Sequence, residues 1–135
     1  MTVATPEPAV AVQAVSPAPR IVPALVNGQQ VYIPCATWCI TDHVAENERR
    51  LEDVAHVGPS SDLVVPGGEP GYRLLADARL GADLFAPVLE ERAPFVVIDD
   101  GSEGFHLTPQ QAWQFVERLT AFAEQVRALA ASIDA

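Results

Sequence analysis

The chain has 135 residues, with 18 acidic against 8 basic side chains and a net charge of −10, a length that suits one domain. It contains no lysine, and eight scattered arginines cannot assemble a basic face, so the charge argues against direct nucleic-acid binding and favours a protein partner. No run approaches the ~20 apolar residues that cross a bilayer, and the N-terminus lacks the charged start and apolar block of a secretory signal, so a cytoplasmic protein without membrane association is expected.

Residues 1–23 are rich in Pro and Ala, with prolines at 6, 8, 17, 19 and 23, and read as a disordered tail before a single α+β domain over 24–135. Aromatic residues make up only 7% of the chain, so the core is expected to be shallow and two-layered. The first strand is expected at 30–33, after the turn pair Asn27-Gly28, with Pro34 ending it. From 41 to 54 the chain is polar and without apolar period, which suits a loop or short exposed helix.

Further on, 62–65 reads as a short strand closed by Pro66-Gly67-Gly68. Tyr72, Leu74, Ala76, Ala78 and Leu80 alternate with more polar residues, as in a half-buried antiparallel strand. Residues 94–98 are apolar on both faces and should sit centrally, with Asp99-Asp100-Gly101 turning the chain toward 105–107. Adjacent Asp99 and Asp100 read as turn residues rather than as paired catalytic carboxylates. The whole predicts a small antiparallel sheet of three to five strands.

The closing helix, 108–133, has the clearest signals. Thr108 can cap it, Pro109 suits its first position and Gln111 completes a capping box. Ala112, Phe115, Leu119, Phe122, Val126, Leu129 and Ile133 recur at spacings of three and four, forming one apolar stripe. At ~36 Å over 109–132, the helix outruns a five-residue strand of ~17 Å. The stripe is expected to cover the sheet, or to pair its C-terminal half with another copy. Trp113 lies off the stripe, as an edge-of-core residue or a surface anchor.

Chemistry concentrates in Cys35-Ala36-Thr37-Trp38-Cys39-Ile40-Thr41-Asp42-His43, with His56 thirteen residues on. Two thiolates and two imidazoles make a complete tetrahedral zinc set, so Cys35, Cys39, His43 and His56 are the candidate ligands, with His106 in reserve. A helix over 35–43 would put Cys35, Cys39 and His43 on one face, and a turn at a strand end could also converge them. Four protein ligands leave no open position, which is the pattern of a structural site compensating for a thin core. The competing readings are buried apolar cysteines with surface histidines, or a redox dithiol.

The order of features resembles a family of small actinobacterial and actinophage proteins of unknown function, marked by Cys-Pro-x-Trp-Cys-x-x-x-His. Here the run is Cys35, Trp38, Cys39 and His43, with Ala36 in place of the proline. His56-Val57-Gly58 and Leu107-Thr108-Pro109 continue the likeness across about 31–132. The resemblance supports a metal site and implies no reaction. The expected function is a non-enzymatic protein-interaction or regulatory module with a structural zinc, associating through helix 108–133. The alternative is a metal- or thiol-dependent enzyme using Cys35, Cys39 and His43, marked by a carboxylate such as Asp42 or Glu46 beside the ion.

Overall fold

The computed structural model describes residues 19–67 and 71–134. Its first element is a strand that the sequence did not announce, β1 (Arg20–Val26), antiparallel to β2 (Gln29–Cys35). Pro23 obscures it, because proline is tolerated in a strand only where no partner needs its missing N–H. A two-stranded sheet supplies that freedom, since each strand has one open edge. Of the segment 1–23, residues 1–18 lie outside the described residues, and Arg20 onward is strand. Asn27 and Gly28 both have positive φ, 52° and 77°, as the tight hairpin turn that matches strand twist requires.

After β2 the chain turns through Cys39 into α1 (His43–Glu46), a single turn that packs on β1. Asp42 caps it, its carboxylate accepting from the amides of Val44 and Ala45 at 3.0 and 3.2 Å, which satisfies otherwise orphaned donors. Asn47 ends it in the left-handed region with φ 46°, and its side-chain oxygen accepts from Gly28 N at 3.0 Å. The hairpin tip is thereby tied to the end of α1.

The second sheet holds β3 (His56–Val57), β4 (Ser61–Pro66), β5 (Tyr72–Ala82), β6 (Phe95–Asp99) and β7 (Gly104–Leu107), all antiparallel to their neighbours. The long strand β5 organises it. β4 and β3 line successive stretches of one edge, and β6 then β7 extend the other. Asp77 and Asp99 stand directly opposite each other on β5 and β6, a pairing that repels. Arg79 bridges them, donating to Asp77 at 2.5 Å and Asp99 at 3.2 Å. Asp99 and Asp100 also accept amide hydrogen bonds from the following turn.

Gly81 is required by packing. It faces Phe95 across the β5–β6 pair, and a Cβ on it would fall 2.7 Å from that ring, which in turn stacks on His106. Gly81→Ala is therefore expected to lower the thermal midpoint by roughly 5–10 °C, the effect of about 1–2 kcal/mol of overpacking. Calorimetry of Gly81→Ala in a Phe95→Leu background checks the cause, because trimming the ring should remove most of the loss.

The closing helix, α2 (Pro109–Asp134), has 26 residues. Its capping box is complete: Thr108 Oγ1 accepts from Gln111 N at 3.1 Å, and Gln111 Oε1 accepts from Thr108 N at 3.0 Å. The expectation that α2 covers the sheet needs correction. Its start contacts β6 and β7, yet only Ala112 is half-buried, and Phe115 and Leu119 stay exposed where they pass the sheet. Beyond them Phe122, Val126, Leu129 and Ile133 are exposed, as is Trp113. No helix among the described residues is long and apolar enough to cross a membrane.

The buried interior is correspondingly small. Ala24, Ile33 and Val54 form a cluster between β1, β2 and the following loop, with Val22, Val26, Val31 and Phe85 against it. The largest fully buried side chains are His56, Cys35 and Cys39.

Candidate metal centre

Three consecutive pieces of local structure deliver the first three donors. Cys35 is the last residue of β2, Cys39 sits in the turn closed by its own amide on Ala36 O at 3.1 Å, and His43 opens α1. The strand-end turn, rather than a continuous helix over 35–43, brings them together. His56 comes from the other sheet, where β3 pairs with the end of β5 and sets His56 opposite Ala82. Backbone bonds lock this junction: Ile40 N donates to Val57 O and Gly58 N to Leu80 O, both at 2.9 Å.

The four residues are all buried, and one donor atom from each lies within 4.8 Å of the others. Cys35 Sγ is 3.5 Å and Cys39 Sγ 3.7 Å from His43 Nε2. A tetrahedral zinc with bonds of ~2.3 Å to sulfur and ~2.0 Å to nitrogen holds S and N about 3.5 Å apart. Neither cysteine is in a disulfide. The His43 and His56 rings meet edge to face with centroids 4.8 Å apart.

Unpaired donor atoms suit a metal ion here. His43 Nδ1 and both ring nitrogens of His56 are buried with no hydrogen-bond partner among the described residues, an arrangement that costs about 1–3 kcal/mol for each unsatisfied group. Burial, and then the neighbouring His43, push the His56 pKa down to about 4. Burial also lowers that of His43. Both imidazoles are therefore neutral at pH 7, the form that donates to a metal. Burial pushes the Cys35 thiol up to about 11, helped by Cys39 and opposed by Arg20. Left alone, Cys35 keeps its proton; a bound cation displaces it. The donor set, its burial and its orphaned nitrogens together fit a metal ion.

Two contributors lie outside the sequence pattern. Arg20 pairs across from Cys35 in the hairpin, and its guanidinium donates to Cys39 O at 2.6 Å, holding the turn that presents Cys39. No local motif marks it, because the contact exists only once β1 has formed. Gly58 is buried under Trp38: a Cβ there would fall 3.3 Å from the indole ring and 3.5 Å from Trp38 O. The Trp of the cysteine turn and the Gly of His-x-Gly are two halves of one packing contact.

Other candidates fall away from the cluster. His106 is exposed on β7 and stacks on Phe95 with ring centroids 4.4 Å apart. Glu46 is exposed, and Asp42 uses its carboxylate to cap α1. The reading of surface histidines does not hold for His43 or His56, which are 4% and 0% exposed.

No curated protein and no solved structure matches the chain. A family model described as a domain of unknown function, DUF6907, matches residues 20–135, which takes in both sheets, the Cys/His cluster and α2. The chain belongs to that family.

Proposed function

We propose that this protein is a non-enzymatic interaction module in which Cys35, Cys39, His43 and His56 hold one structural zinc ion and α2 is presented to a protein. The observation that carries the reading is the buried Cys/Cys/His/His cluster with its orphaned imidazole nitrogens. Two thiolates and two imidazoles in tetrahedral reach select zinc over hard cations, which take oxygen ligands. With four protein donors the ion has no position for a reacting water, so its contribution is to stability. A place in actinobacterial or phage biology rests on the motif resemblance alone. The exposed apolar stripe of α2 supports association with a protein partner or with another copy, and the charge of −10 disfavours nucleic acid.

Metal content of protein purified without added metal, measured by mass spectrometry, tests the site. One zinc per chain in the wild type and none in Cys39→Ser is expected. A metal-free wild type that keeps its fold would refute the zinc reading.

A further inference from the structure

We infer that the occupant of the α2 stripe is the same stripe of a second copy, laid antiparallel across it. This takes the interaction-module reading further and names its partner. Stripe residues from Ala112 to Ile133 repeat at alternating spacings of three and four over three heptads, the seam of a paired helix rather than of a helix lying on a sheet. Past the half-buried Ala112 the seam is open, with Phe122 58%, Leu129 68% and Ile133 85% exposed.

Charge selects a copy of the chain over a basic partner. The positions flanking the seam are Val116, Ala123 and Ala130 on one side, and Arg118, Gln125 and Ser132 on the other. These are the positions where paired helices place charges to choose partners. They carry no carboxylate, although the chain as a whole has a net charge of −10. Glu117 and Glu124 sit on the far side of the helix. Elsewhere two acidic copies repel each other; along this seam the one flanking charge is Arg118, and Ala123 and Ala130 let the backbones approach closely.

Size is sufficient. Phe115, Leu119, Phe122, Val126, Leu129 and Ile133 leave on the order of 600 Å² open on each copy, so their pairing removes up to roughly 1,200 Å² from water, the lower end of a specific interface.

Direction follows from a second feature. Between the first half of α2 and the sheet lies a mainly apolar cleft lined by Leu63, Ala76, Ala78, Ile98, Phe115 and Leu119, together with Ser61 and Asp77. A two-fold axis near Phe122 sets the partner's Ile133 beside Ala112 and the partner's Leu129 beside Phe115. The most exposed seam residue then meets the smallest one, and the protruding end of each helix closes the cleft of the other copy. A parallel pair would stack Ala112 on Ala112 and leave both clefts open.

Light scattering on the full-length, metal-loaded chain at tens of micromolar is expected to give twice the chain mass of 14.4 kDa. Phe122→Glu should halve it, with metal content and circular dichroism unchanged, since Phe122 is largely exposed on α2 in the single chain. For direction, a mixture of Ala112→Cys and Ile133→Cys proteins should form a disulfide-linked dimer under mild oxidation, and Ile133→Cys alone should not. Cross-linking of Ile133→Cys alone would overturn the antiparallel arrangement. A monomeric wild type that retains its metal would overturn self-pairing, hand the seam to a different protein and leave the zinc module standing; a dimer without metal would do the reverse.

Discussion

His56→Leu is expected to act in opposite directions in the metal-loaded and metal-free protein. With zinc bound, the substitution removes one of four donors from a site whose binding is worth on the order of 10–16 kcal/mol in comparable small domains. A loss of several kcal/mol follows, and the thermal midpoint should fall on the order of 10–20 °C. In excess chelator, the wild type retains a fully buried imidazole with neither nitrogen paired. Leucine, of similar volume, removes that penalty and leaves the midpoint unchanged or higher. Scanning calorimetry of both proteins with zinc and with chelator gives the four values needed. Destabilisation of equal size in both conditions would make His56 an ordinary packing residue and remove the metal from the account.

Acid and alkali are expected to bound the stability of the metal-free chain on both sides. The His56 pKa falls from an ordinary 6.5 to about 4 on folding, so below pH 6.5 the unfolded chain binds a proton that the native state refuses. Stability is fully present above pH 6.5 and is lost as pH falls through about 4, by up to about 3 kcal/mol from this group. Cys35 gives the opposite arm. Its thiol rises from 9.0 to about 11, so its contribution is complete below pH 9 and is lost as pH climbs through the folded value. Zinc changes the shape of the profile, because coordinated thiols are already deprotonated. Urea midpoints from pH 4 to 11 should therefore show both arms with chelator and only the acid arm with zinc. An alkaline arm of equal size in both would contradict coordination by Cys35.

What could be read from the sequence was the chemistry that acts locally. Asn27-Gly28 reads as a tight turn, and the stretch from Tyr72 to Leu80 is strand as expected, though burial rises along β5 instead of alternating between two faces. Thr108, Pro109 and Gln111 state the start of α2 in three consecutive signals. The Cys/His cluster was legible because thiols and imidazoles are rare enough that four close together stand out. Contacts made at a distance were hidden. β1 was masked by Pro23, which a sheet edge accepts; the role of Arg20 needed the hairpin register; and Gly81 is explained only by a ring on another strand. The α2 stripe shows the other limit, since periodicity reports that a face is apolar without saying what covers it.

Apart from Phe85 leaning on the small apolar cluster, the β1–β2 hairpin is joined to the five-stranded sheet mainly at the Cys/His cluster, where His56 and the Ile40–Val57 bond come together. An isolated two-stranded ribbon is marginal in water. With zinc held there as proposed, the hairpin becomes a tethered foldon whose opening energy the ion sets, while β5, β6 and β7 keep their own ladder. Amide hydrogen exchange would register this directly. With zinc, the protected amides of β1 and β2 exchange in step with those of β5; once the metal is stripped, the hairpin exchanges first and alone, and one cooperative unit has become two.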